Sequence, residues 1–305
     1  MLTPKRIAVF LCCVVLSSTI AAQPGSFVTQ GAVLAYESFG KGTPVLIING
    51  GPGMNSEGFK SLALILAKNN FRAIIYDQRG NGKSVLKEVT SSTVTMDLMR
   101  DDIEALRIHL KINQWIVLGH SFGGILANYY ASKYPDRISK LVLSSSGGID
   151  LAFMDYINAS IQSKLTKQER DSLDYWTSKT NNGDTSFNAK WQRARWLAPA
   201  YLYNKTFVPL IAQRLTVVNM HINQLVFTDL RKINYDCSET LKKLTAPVLI
   251  IQGKNDIIKA ETAQKASGFF SNVTVKIVPD CGHYGWLEQP GIYVDALLRF
   301  LQWKV

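Results

Sequence analysis

Seven short runs rich in aliphatic and β-branched residues punctuate the chain: VLAYESFG (33–40), PVLIING (44–50), FRAIIYDQRG (71–80), WIVLGH (115–120), ISKLVLSS (138–145), APVLIIQG (246–253) and VTVKIVP (273–279). Several are apolar without alternation, the pattern of strands covered on both faces, as in a parallel sheet. Stretches of helical period lie between them. In MDLMRDDIEALRIHL (96–110), Leu98, Ile103, Leu106 and Leu110 recur at helical spacing with charges elsewhere. ILANYYASKYP stops at Pro135, and GIYVDALLRFLQW (291–303) closes the chain as an amphipathic helix. This β–α alternation predicts a doubly wound, mostly parallel α/β sheet.

The rhythm breaks from about Leu151 to Tyr235. That stretch has helical pieces rich in Trp, Tyr, Lys and Arg and no convincing strand, before KKLTAPVLII resumes the core pattern. It predicts a mostly helical insertion (151–235) over the C-terminal edge of the sheet, a candidate lid, with the core divided into 23–150 and 236–305.

The N-terminus differs in kind. A short basic MLTPKR, a mostly apolar 14-residue run IAVFLCCVVLSSTI and the small residues of AAQPG have the layout of a secretory signal over 1–22, cut near Ala22. The run is shorter than the roughly 20 residues of a spanning helix, so no stable membrane span is expected, a retained anchor being the alternative. The expected location is periplasmic or secreted. Removal of the signal leaves Cys237 and Cys281, and whether they pair stays open.

Composition is globular, with 47 % hydrophobic and 19 % charged residues. The net charge of +11 is spread out, with no Lys/Arg run longer than two. That is a solvated basic surface, and with no binding motif it implies no nucleic-acid partner. Histidines and cysteines are few and lack ligand spacing, and GKGTP (40–44) lacks the Walker spacing, so neither a metal nor a cofactor is expected. The oligomeric state is not legible.

Candidate chemistry centres on Gly119-His120-Ser121-Phe122-Gly123, a G-x-S-x-G between a strand and a helix. Such a sharp turn strains the serine, and the flanking Gly119 and Gly123 remove side chains that would clash. A serine hydroxyl needs a base. Of the four histidines, His109 ends an amphipathic helix, His120 adjoins Ser121 and should point elsewhere, and His221 lies in the insertion. His283, in the loop PDCGHYGW after the last strand, is the expected base. Asp256, three residues after a core strand, is the expected orienting carboxylate, with Asp150 as runner-up; Asp280 is too near His283 along the chain. The order Ser121, Asp256, His283 is that of the α/β-hydrolase fold. NGGPGMN (49–55) leaves the first core strand, so Gly51 N–H and Phe122 N–H are the expected oxyanion donors, with Gly50 and Gly53 shaping the loop.

NGGPG, then DQRGNGKS (77–84), then DDIEALRIHLKINQWIVLGHSFGG (101–124) resemble the proline iminopeptidase branch of the α/β-hydrolases, serine aminopeptidases that remove N-terminal residues, often proline. The resemblance covers roughly 31–150 and 240–303. It implies Ser121 as nucleophile, Asp256 as acid, His283 as base, and Gly51 and Phe122 as the oxyanion hole. Asp77, Arg79 and Ser84 read as a polar network bracing the loop near the site. The chain departs from the family pattern in three places: Asn49 stands where a histidine usually precedes GGPG, the elbow is GHSFG rather than GGSWG, and Tyr284 replaces an arginine often found after the catalytic histidine. Iminopeptidases also hold the substrate ammonium with acids in the lid; here 151–235 has six acids (Asp155, Glu169, Asp171, Asp174, Asp184, Asp229) against eleven Lys/Arg.

The function expected first is an exported serine aminopeptidase acting on short peptides through an acyl-enzyme. A carboxylesterase or other acyl hydrolase with the same three residues is the alternative, and an acid in the lid facing Ser121 would separate the two. A non-catalytic binding protein is a third reading, against which the intact Ser121, Asp256, His283 and GGPG count.

Overall fold

The structure is a computed structural model and describes residues 21–303. The signal expected over 1–22, with Cys12 and Cys13, thus lies outside the described residues apart from its last two positions. The strands are β1 (Gln23–Thr29), β2 (Ala32–Phe39), β3 (Thr43–Ile48), β4 (Phe71–Tyr76), β5 (Val85–Leu86), β6 (Trp115–His120), β7 (Ile138–Ser144), β8 (Val248–Gly253) and β9 (Val273–Val278). They form one sheet in the order β1-β2-β4-β3-β6-β7-β8-β9, with β5 on β2. β3 pairs β4 and β6 in parallel, and every pairing from β6 to β9 is parallel. The β1/β2 and β2/β4 pairings are antiparallel.

All seven predicted strands are present, with ends trimmed by a few residues. β1 was missed because Pro24 and Gly25 read as a break; it is an edge strand, where a missing N–H does no harm. The continuous apolar runs have the expected cause. In β3, Leu46 and Ile48 face one core cluster while Val45 and Ile47 face another. Trp115 and Val117 against Ile116 and Leu118 repeat this in β6, so both faces of the sheet are covered.

Among the described residues the helices run α1 (Lys60–Lys68), α2 (Met96–His109) and α3 (Phe122–Lys133), then α4 (Ile157–Ser163), α5 (Lys167–Asn181), α6 (Phe187–Leu197), α7 (Val208–Thr216), α8 (Met220–Lys232) and α9 (Ser238–Leu241) between β7 and β8, then α10 (Ala260–Ser267), α11 (Gly285–Glu288) and α12 (Pro290–Gln302). α2 and α3 cover one face, α1 and α12 the other. No strand lies between β7 and β8 among the described residues, and an isolated bridge pairs Asp150 with Asp236 at the two ends of that helical stretch. No helix among the described residues is long and apolar enough to cross a membrane.

β3 is followed in sequence by its neighbour β4 on one side, and β6 lies on its other side. The order of the sheet therefore reverses between β3 and β6, and a crevice outside the carboxyl ends of the strands opens at that point. The loops after β3, β6, β8 and β9 carry NGGPG, Ser121, Asp256 and His283.

Candidate active site

Ser121 follows β6 directly and opens α3. Its backbone sits at φ 57°, ψ −121°, a region that non-glycine residues rarely occupy. The turn is possible because α3 starts flush against the sheet: a Cβ at Gly119 would collide with the Gly123 carbonyl oxygen, and one at Gly123 with that of Ile48. Gly50 is packed against the nucleophile itself, since a Cβ there would stand 2.7 Å from the Ser121 Cβ.

His283 stands on the loop after β9, and its Nδ1 lies 2.7 Å from Asp256 Oδ1. Both side chains are almost fully buried. The remaining acceptor capacity of Asp256 is filled by the Ile258 N–H (3.1 Å to Oδ1) and the Gln252 amide (2.8 Å to Oδ2). A buried carboxylate satisfied in this way holds one imidazole tautomer, with Nδ1–H toward the acid and Nε2 left to accept. Asp150, the runner-up, is elsewhere: it accepts the Ala152 N–H and pairs with Lys265.

Ser121, His283, Gly51 and Phe122 line one cavity of about 150 Å³. Gly51 adopts φ 58°, and its N–H donates no backbone hydrogen bond among the described residues. Phe122 is the first residue of α3, so its N–H has no partner within the helix. Gly53, at φ 95°, ends the loop against α8: the Asn219 N–H donates to the Gly53 carbonyl (2.7 Å) and the Asn223 amide to the Pro52 carbonyl (2.9 Å). The DQRGNGKS segment reaches the same loop. Asp77 Oδ1 accepts the N–H and hydroxyl of Ser56, both at 2.8 Å, and Ser84 Oγ donates to the Asp77 carbonyl. Arg79 forms a buried two-point ion pair with Asp102 on α2. Asn49, at the family's histidine position, donates to the carbonyls of Gly50 and Met54 and so holds the turn from within.

The structure differs from the sequence reading over His120. Its ring does not point away but packs 4.7 Å from that of His283 and lines the same cavity, with Nδ1 3.3 Å from Ser144 Oγ. Burial, then the adjoining His283 and Arg214, hold its pKa well below the usual imidazole value. His109 packs on Phe27 and His221 lies on α8. Cys237 and Cys281 are both free and buried, and burial pushes their thiols up to about 11 and about 12. Neither is a reactive thiolate.

Sequence reasoning missed four residues here. Gln252 orients Asp256. Tyr201 accepts the His283 N–H at its carbonyl (2.8 Å). Glu288 accepts the N–H groups of Tyr203, Asn204 and Gly282, tying the stretch after α6 to the histidine loop. Arg214, on α7, is the one charged lysine, arginine or carboxylate residue lining the cavity among the described residues. A larger cavity of about 480 Å³ adjoins it, sharing Gly51, Met54, Tyr201 and Phe227, and its charged lining is Asp174, Arg193 and Arg231. Only Gln252, in APVLIIQG, sits in a stretch whose pattern marked it as core; the others fall where no motif applies.

Residues 43–290 match a family model described as the alpha/beta hydrolase fold. The chain is 25 % identical over 265 residues to a proline iminopeptidase of Lactobacillus crispatus (strain ST1), covering 85 % of this chain and 90 % of that one. It is 27 % identical over 284 residues to the 2-hydroxy-6-oxo-6-(2'-aminophenyl)hexa-2,4-dienoic acid hydrolase of Metapseudomonas resinovorans, covering 90 % of each. An esterase from Exiguobacterium antarcticum superposes with a TM-score of 0.69 at 20 % identity, over 89 % of this chain and 96 % of that one.

Proposed function

The chain belongs to the alpha/beta hydrolase fold family and is a hydrolase-fold enzyme, and on that premise we propose that it cleaves small carboxylic esters or related acyl bonds through a Ser121 acyl-enzyme. The observation that carries this reading is the cavity shared by Ser121 and His283, whose lining holds Arg214 and, among the described residues, no carboxylate.

Ser121 Oγ attacks the scissile carbonyl carbon as its proton passes to His283 Nε2. Asp256 accepts from Nδ1–H and stabilises the imidazolium. The carbonyl oxygen becomes an oxyanion that takes the N–H groups of Gly51 and Phe122; one such donor is worth ~2.7–4 kcal/mol in the transition state. The imidazolium then protonates the departing alkoxide. Water, deprotonated by the same Nε2, attacks the acyl-enzyme and releases the acid with Ser121 restored.

Aminopeptidase action of the proline iminopeptidase type is the second reading. It is supported by NGGPG and DQRGNGKS and by the name of the Lactobacillus crispatus relative and of several others matched over most of this chain, while the Metapseudomonas relative is named for hydrolysis of a substituted hexadienoic acid. It needs an acid for the substrate ammonium. The one acid lining either cavity, among the described residues, is Asp174 on the outer one. Turnover of short-chain phenyl esters beside aminoacyl-naphthylamides, proline first, separates the two. The ester reading expects ester hydrolysis that disappears in Ser121→Ala; rapid release of naphthylamine with negligible ester turnover would reverse the choice.

We also infer export through the N-terminal signal, on the basic, apolar and small-residue order of 1–22. N-terminal sequencing of protein recovered outside the cytoplasm should find a start near Gln23, and an intact Met1 would sink the inference.

A further inference from the structure

Arg214 is a cation with nothing to neutralise it. Among the described residues it forms no ion pair, and its Nε is buried without a hydrogen-bond partner. Its guanidinium instead lies over aromatic rings, 4.6 Å from the Phe59 centroid and 5.9 Å from that of Tyr284. Gly58 makes room for it: a Cβ there would overlap Nη1. Burial lowers its pKa and no carboxylate opposes this, yet a guanidinium stays charged. Arg214 is half-buried, and even partial withdrawal of an unpaired charge from water carries a cost. Arg214 lines the cavity that also contains Ser121 and His283, and on the side of Gly58 it lines a second cavity of about 280 Å³ with Glu57, with which it makes no ion pair.

The fork of N–H donors on arginine matches a carboxylate at two points. A cavity of about 150 Å³ is the size that accepts benzene, so the acyl group it takes has on the order of six to seven heavy atoms. An anionic group on so short an acyl chain lies within a few bonds of the scissile carbonyl. We propose that Arg214 is the specificity-determining residue of this enzyme, binding a carboxylate carried on the short acyl part of the substrate, so that half-esters of small dicarboxylic acids are preferred over neutral or cationic acyl esters. The proposal rests on the acyl-hydrolase reading above. The leaving alcohol then extends into the adjoining 480 Å³ cavity.

The test compares kcat/KM for monophenyl succinate, phenyl butyrate and phenyl β-alaninate, whose acyl chains are similar in size and end in carboxylate, methyl and ammonium. The wild type should prefer the succinate ester to the butyrate ester about tenfold to a hundredfold, as befits a charge-assisted pair, and the β-alaninate should be the poorest of the three. Arg214→Met should collapse the succinate-to-butyrate ratio by at least tenfold. Arg214→Lys, which keeps the charge without the fork, should retain part of it. Free glutarate should inhibit the wild type competitively and lose potency in both variants. A wild-type ratio near one, or a ratio that either folded variant leaves unchanged, overturns the assignment to Arg214 while leaving the hydrolase reading standing. Failure of folded wild type to cleave any of the three esters overturns that reading, and this one with it.

Discussion

At Ser121 the backbone is held at φ 57° by close packing of α3 on β6, and the residue lines the cavity. Ser121→Ala should therefore fold and lose activity by about 10⁴–10⁶ in kcat, and it should no longer label with a fluorophosphonate probe. Asp256→Asn should keep the geometry and lower kcat by about 10⁴, because it favours the wrong tautomer of His283. His120 gives a different readout. Its folded pKa is depressed, so below about pH 6.5 the unfolded chain takes up a proton that the folded protein refuses. Stability should thus fall as pH drops through that window, by at most about 1.4 kcal/mol per pH unit from this group. Thermal melts at pH 5 and 7.5 should show the loss, and His120→Gln should flatten it. Equal slopes in the two proteins would place the acid sensitivity elsewhere.

At the scale of elements, the oxyanion loop is gripped from outside the core. α8 meets it through Asn219 N–H on the Gly53 carbonyl and Asn223 on that of Pro52. Gly53→Ala faces both a left-handed backbone at φ 95° and a collision with the Asn219 carbonyl oxygen. It should cost more than about 1 kcal/mol in urea unfolding and lower kcat as α8 lifts from the loop. Asn223→Ala removes one hydrogen bond, about 0.5–1.5 kcal/mol, and should move kcat less. A Gly53→Ala protein with wild-type kcat would show that α8 does not position the donors. Strand burial also accounts for what the sequence revealed of the fold. Strands buried on both faces announce themselves as apolar runs. β1 is an edge strand, and Pro24 and Gly25 concealed it, because an edge needs neither continuous hydrophobicity nor every N–H.

Across the whole molecule, the net charge is +11, or +9 without Lys5 and Arg6 of the inferred signal, and the cavity's one charged wall residue, among the described residues and histidine aside, is Arg214. An anionic ester should be drawn in by that field, and its kcat/KM should fall as NaCl rises from 20 to about 500 mM, where the Debye length shrinks to a few ångströms. The butyrate ester should respond much less. A parallel salt response of both esters would detach selectivity from electrostatics.

The strand–helix order, the elbow around Ser121 and the candidate set Ser121, Asp256 and His283 were legible from sequence, because each rests on local geometry: a strand end, a tight turn, a glycine-rich exit. Glycines and apolar runs are constraints that a short window of chain must obey. What the folded chain adds is that His120 packs beside His283, that the carbonyl of Tyr201 from a distant helical stretch and the carboxylate of Glu288 on α11 brace the histidine loop, and that Arg214 lines the cavity without an ion-pair partner among the described residues. Those facts depend on which distant segments meet at the sheet edge, and long-range packing of partly polar surfaces leaves no periodic mark by which a reader of the sequence could find it.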